Sequence, residues 1–116
     1  LSSSSNNTVT GNTCNNNNSY GIHLYSSSNN TVTGNTCNNN NYGIRLYSSS
    51  NNTVTGNTCI RGTGLATDYT ESQHTIQLNS MGNNYNLIAM NNCMGKAVTI
   101  EGGTGNTLVN NKFNET

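Results

Sequence analysis

The chain of 116 residues has no proline and no tryptophan, only one phenylalanine, and only 7% charged side chains. Its four Lys/Arg balance its four Asp/Glu, so the formal net charge is zero. Without a basic excess to neutralise phosphates, nucleic acid is not expected as a partner. No apolar run approaches the ~20 residues of a membrane-spanning helix, and no signal-peptide pattern is present, so no membrane insertion is expected. Ala, Leu, Glu and Lys are scarce too, which argues against a helical domain. What fills the space is 27 Asn, 17 Thr and 13 Ser. Composition of that kind alone is compatible with disorder. The order of the residues is not.

Asn6-Asn7-Thr8-Val9-Thr10-Gly11-Asn12-Thr13-Cys14 recurs unchanged from Asn29 to Cys37 and from Asn51 to Cys59. Between the copies lie Tyr20-Gly21-Ile22-His23-Leu24-Tyr25 and Tyr42-Gly43-Ile44-Arg45-Leu46-Tyr47, each followed by three serines. The second half carries a decayed version. Ile76-Gln77-Leu78 matches Ile22-His23-Leu24, Leu87 to Cys93 matches Thr8 to Cys14, and a last turn runs from Val98 to Phe113, with Phe113 at the Cys position.

Apolar residues alternate singly with polar ones inside each repeat, the period of short strands. Gly, Asn and Ser between them suit tight or left-handed turns. A unit this small cannot bury its few apolar residues alone, but stacked units share a core. The reading is an all-β, single-stranded β-solenoid of about five coils, with 22–23 residues per regular coil. It forms one domain over 1–116, with near-identical coils over 1–59, an inserted loop over 60–73 and degenerate coils over 74–116. Identical residues then stack about 4.8 Å apart, and asparagines in such files hydrogen-bond along the stack. Asn12, Asn35 and Asn57, each after a glycine, are the candidate inward ladder.

The run Y-G-I-x-L-Y-S-S-S-N-N-T-V-T-G-N-T-C resembles the parallel β-helix repeats of secreted and surface proteins of archaea and bacteria. That group includes periplasmic copper-maturation proteins of nitrous-oxide respiration, polysaccharide lyases and large surface proteins of methanogens. The resemblance implies a right-handed helix with three strands per coil and an extracellular or cell-surface location. The copper role does not carry over, because no copper motif is matched.

Cys14, Cys37, Cys59 and Cys93 share one repeat position. They read as an interior ladder of small apolar side chains. Their ~5 Å spacing leaves disulfide pairing, such as Cys14–Cys37 with Cys59–Cys93, open in an oxidising compartment. C-x-x-C spacing is absent and a straight file is not tetrahedral, so neither zinc nor any other metal or cofactor is expected. With each Val inward, Thr8, Thr10, Thr31, Thr33, Thr53 and Thr55 point outward in two files. That array is similar to the ice-binding surfaces of insect solenoids, although Thr is also simply a good strand residue.

Insertions in repeat proteins commonly map to a binding face. The 60–73 insertion reads as a solvated loop, with Asp68, Glu71 and the adjacent His74 as candidates to meet at a cation or act as acid and base. Tyr20 stacks on Tyr42 and Tyr25 on Tyr47, files that suit sugar rings or simply cap strand ends. Sequons begin at Asn6, Asn17, Asn29, Asn51 and Asn114. Four acidic residues, three of them far apart, equip the chain badly for glycosidic chemistry, so no enzymatic activity is expected. The sequence opens in mid-repeat, without an amphipathic cap. Either it is part of a longer protein or its open ends are used. The leading expectation is an extracellular structural protein that assembles with itself, head to tail or laterally, into a filament, sheath or surface layer. A rigid spacer or adhesin-like module that binds glycans is the alternative, and ice binding ranks below both.

Overall fold

Among the described residues the alternating segments form nine short strands: β1 (Thr8–Thr10), β2 (Tyr20–Tyr25), β3 (Thr31–Thr33), β4 (Tyr42–Tyr47), β5 (Thr53–Thr55), β6 (His74–Leu78), β7 (Leu87–Ala89), β8 (Thr99–Ile100) and β9 (Thr107–Val109). The structure is a computed structural model and describes residues 1–113, so the sequon at Asn114 lies outside the described residues. Odd-numbered strands make one parallel sheet in the order β1-β3-β5-β7-β9, and even-numbered strands make a second, β2-β4-β6-β8. A third wall is a file of single parallel bridges, Thr13↔Thr36↔Thr58↔Asn92↔Lys112. The chain therefore winds through three walls before returning one level up.

Register follows the repeat. Val9 faces Val32, Val32 faces Val54, and Val54 faces Ile88. On the other sheet Ile22, Ile44 and Ile76 align, as do Leu24, Leu46 and Leu78. These residues point inward and, with Cys37, Cys59 and Cys93, form the buried core, against which the partly buried Val9 packs. Each fully buried Val, Leu or Ile removes enough apolar surface to contribute about 1.5–3 kcal/mol.

The corners explain how so few residues turn so sharply. Ser26, Asn29, Gly34 and Asn39 all have φ between 49° and 65° in a single coil. Ser, Asn and Gly enter this left-handed region more readily than bulky residues. The residue after each of them turns back into the interior, and all four, Ser27, Asn30, Asn35 and Asn40, are buried. The same alternation of corner and ladder residue appears in the coil below, as Ser3/Ser4, Asn6/Asn7, Gly11/Asn12 and Asn16/Asn17. In the decayed coils Tyr85 and Met90 occupy corner positions at φ 57° and 56°.

Buried asparagines require complete hydrogen bonding, and the ladders supply it. Asn35 Oδ1 accepts the backbone N–H and the Nδ2 of Asn12, both at 3.0 Å. Its own Nδ2 donates to Val9 O at 2.9 Å and to Asn57 Oδ1 at 3.0 Å. The expected ladder Asn12–Asn35–Asn57 continues through Asn91 to Asn111. Three ladders not foreseen from sequence run beside it. One is Asn7–Asn30–Asn52–Asn86–Asn106, another is Asn17–Asn40, and the last is Ser4–Ser27–Ser49–Asn83.

Candidate binding face

A solenoid that turns its apolar residues inward points every second strand residue outward, although on β6 even these are buried, with Gln77 Nε2 donating to Glu101 Oε2 at 3.0 Å. On β2, β4, β6 and β8 that outward row reads His23, Arg45, Gln77 and Thr99, aligned coil over coil. Tyr20, Tyr42 and His74 flank it on one side, and Tyr25 and Tyr47 on the other. The two expected tyrosine pairs are present. Tyr25 and Tyr47 stack with centroids 5.3 Å apart and planes 2° from parallel, while Tyr20 and Tyr42 are 5.3 Å apart and tilted by 39°. His74 extends the second file, stacked on Tyr42 at 5.4 Å.

Arg45 sits among these rings. Its Cζ lies 5.3 Å from the centroids of Tyr20 and Tyr42 and 5.6 Å from that of Tyr47, within cation–π range. Its Nη1 donates to the Tyr20 hydroxyl at 2.6 Å. Three buried polar atoms in this one row, His23 Nε2, Arg45 Nε and Gln77 Oε1, have no hydrogen-bond partner. The only other such atom among the described residues is Asn92 Oδ1, on the third wall. Burial lowers the pKa of His23, and the charges of Arg45 and the N-terminus add to the effect, so its imidazole is neutral at pH 7. Burial also lowers that of His74, with Lys96 contributing, and its Nδ1 is 3.0 Å from Thr99 Oγ1. Sequence reasoning singled out the tyrosines but missed His23, Arg45 and Gln77. The variable position in Y-G-I-x-L-Y, always polar and always outward, was the available signal.

The insertion over 60–73 is tied down rather than loose. Asp68 Oδ2 accepts from Thr63 N at 2.9 Å, Thr63 Oγ1 at 2.7 Å and Leu65 N at 3.1 Å. Those bonds, the Thr63 hydroxyl first, hold its carboxyl below the usual range. Tyr69 donates its hydroxyl to Met94 O at 2.7 Å and accepts Arg61 N–H at 3.1 Å. The Lys96 ammonium donates to the carbonyls of Thr70, Glu71 and Gln73. Asp68, Glu71 and His74 are not brought together. Asp68 serves its own loop, Glu71 is exposed, and His74 belongs to the tyrosine face. Among the described residues no group of three or more His, Cys, Asp or Glu is placed to hold a metal ion.

The cysteines form the interior file that their shared position implies, and all four are free thiols. Burial, with Cys37 adding, raises the Cys14 thiol. Cys59 is pushed well up, first by its bond to Cys37 and then by burial, whereas Cys37 moves the other way. Burial pushes Cys93 up to about 11. The threonine files are aligned and outward over three coils. They end where Thr53 meets Leu87 and Thr55 meets Ala89.

A family model described as "Right handed beta helix region" matches residues 1–113. No curated protein and no solved structure matches the chain.

Proposed function

Since the chain belongs to the right-handed β-helix family, we propose that it is an extracellular structural protein that extends by stacking coil on coil into a filament, sheath or surface layer. The observation that carries this reading is the direction of the ladders. Each Oδ1 accepts from the coil below, and each backbone N–H donates to the coil above. In the first described coil Asn7 and Asn12 offer Oδ1 atoms that receive no bond. In the last, the backbone N–H groups of Asn106 and Asn111 find no acceptor among the described residues. In this file of bonds one end therefore offers acceptors and the other donors, and the backbone bonds between coils run in both senses, so the two ends are complementary as a head-to-tail contact needs.

Apolar surface points the same way. Ile100, Leu108 and Phe113 are 37%, 45% and 44% exposed at the donor end, and Leu1 is 40% exposed at the acceptor end. Zero net charge leaves no general repulsion against stacking. The extracellular placement draws on the resemblance to secreted and surface β-helix proteins. The test is sedimentation of the purified chain across a concentration series, with electron microscopy of the concentrated material. Fibres with an axial repeat of about 4.8 Å are expected, and a monomer at every concentration would sink the proposal.

A second reading, a rigid glycan-binding module of a larger surface protein, is favoured by the stacked Tyr25 and Tyr47 rings on the outward face, where Tyr25 is 47% exposed.

A further inference from the structure

We propose that one edge of the solenoid is a site of N-linked glycosylation, with Asn6, Asn29 and Asn51 as the acceptors. The inference shares the extracellular placement of the proposed function, because an Asn-x-Thr acceptor sequence is read on an exported chain, but it does not depend on coil stacking. It starts from a contrast inside each Asn-Asn-Thr segment. The second asparagine, Asn7, Asn30 or Asn52, is a ladder residue whose Nδ2 donates to Asn30 Oδ1, Ser4 O or Ser27 O respectively. The first turns a left-handed corner, at φ 62° for Asn6, 60° for Asn29 and 57° for Asn51. All three are exposed, and their side chains have no hydrogen-bond partner among the described residues.

The acceptor sequence begins on the exposed member every time. Two residues on, Thr8, Thr31 and Thr53 open β1, β3 and β5, and their hydroxyls also lack a partner among the described residues. The amide that receives sugar and the hydroxyl that marks it are therefore both free. Because Thr8, Thr31 and Thr53 align coil over coil, the acceptors form a file along one edge. It ends with the regular coils, since Tyr85 and Gly105 hold this corner in the next two.

The sequon at Asn17 is an internal control. Its Nδ2 and its backbone N–H both donate to Asn40 Oδ1, at 2.9 and 2.8 Å, so its amide belongs to a ladder. The same sequence signal there should stay unmodified while the chain is folded.

In the transfer, Asn Nδ2 attacks C1 of a sugar carried on a polyprenyl pyrophosphate. The C1–N bond forms, the C1–O bond breaks with its electron pair leaving on the pyrophosphate, and Nδ2 releases one proton to solvent. The product is a bulky, solubilising group along the side of the stack, which leaves the coil ends open.

The test uses the full chain purified from a host that lacks the modification. It is treated, folded, with an oligosaccharyltransferase that reads Asn-x-Ser/Thr and with its lipid-linked oligosaccharide. Release by peptide-N-glycosidase in heavy-oxygen water marks each modified Asn as labelled Asp, and peptide mass spectrometry reads every sequon separately. Asn6, Asn29 and Asn51 are expected to take sugar, and Asn17 to do so at about a tenth of their rate or less, because its coil must open first. An unfolded peptide of residues 12–24 should be modified at Asn17 readily. Thr31→Val, which keeps a good strand residue in β3, should remove the sugar from Asn29 alone. Folded-chain transfer to Asn17 as fast as to the corners, no transfer to the corners, or a peptide that stays bare overturns the assignment. Glycopeptides from the native protein complete the test. Corners that are bare there overturn the modification and leave coil stacking, which sedimentation reads, untouched.

Discussion

Asn57 Oδ1 accepts both the backbone N–H and the side-chain Nδ2 of Asn35, each at 3.0 Å, and its own Nδ2 donates to Val32 O at 2.9 Å. One side chain therefore closes hydrogen bonds with the coil beneath it in both directions.

Replacing Asn57 by Ala leaves the Asn35 N–H buried without an acceptor, at about 1–3 kcal/mol, and removes the second donor to the Val32 carbonyl, which keeps its place in the β3–β5 ladder. Urea unfolding should show a loss of about 2 kcal/mol. Asn57→Asp keeps an acceptor but turns an oxygen toward Val32 O and Asn91 Oδ1, where Nδ2 now donates, so it should be no better than Ala at neutral pH. A loss below about 1 kcal/mol for N57A would mean that the ladders decorate the fold rather than hold it.

Gly43 works by contact rather than by a special φ. A Cβ there would run into the Thr75 carbonyl and lie 2.8 Å from the Cys59 Cβ. Overpacking of this kind costs about 1–3 kcal/mol when the backbone must move, and here it must, because the obstacle is the next coil. Gly43→Ala is expected to lower the thermal midpoint clearly, whereas an unchanged midpoint would mean that the coils separate easily.

Met90 is the opposite case. It sits at φ 56° where the regular coils place Gly11, Gly34 and Gly56, and its side chain is 70% exposed. The backbone strain therefore has little burial to offset it. Met90→Gly should stabilise the chain by about 1 kcal/mol, and Gly56→Met should destabilise it by a similar amount. A Cβ at Gly56 would come no nearer than 3.8 Å to Thr33 Oγ1, so the expected loss is conformational rather than steric. A thermal melt in which M90G raises the midpoint and M90A leaves it unchanged would confirm that the backbone is responsible.

Cys93 links stability to alkaline pH. Burial raises its thiol from the ordinary 9.0 to about 11, so between those values the folded chain keeps a proton that the unfolded chain releases. Stability should be flat below pH 9 and then fall with rising pH, by up to about 1.4 kcal/mol per unit for this thiol. The decline should be shallower in Cys93→Ala, where only Cys59 and its neighbours remain. Parallel urea-midpoint curves for wild type and C93A from pH 8 to 10.5 would contradict this.

The winding, the register and the cysteine and glycine-linked asparagine files were legible because identical segments must align when they stack. The other ladders were not, and the cause is geometric. Period-two alternation assigns inward residues only along an unbroken strand, and every left-handed corner shifts the parity by one. In Asn29-Asn30 the first residue turns the corner and is exposed, while the second is buried, and nothing in their chemistry distinguishes them. Counting back from Val32 in steps of two would have reached Asn30. The loop defeated the same reasoning, since Asp68 and Lys96 act on backbone groups that a side-chain pattern does not reveal.

The shared register has a consequence for how such a chain can change in length. Every coil meets its neighbours through the same bonds at the same places, so duplicating or deleting a whole unit alters only the height of the stack. Adding a residue inside a wall would put the rest of that wall out of step with the level below, whereas the corners absorb differences, since successive levels of the Asn12 file are 23, 22, 34 and 20 residues apart. The 60–73 segment shows where extra residues are accommodated: outside one corner, between Cys59 and His74, with the wall resuming in alignment as Ile44 faces Ile76. The molecule is built to be lengthened in whole steps and embellished only at its edges.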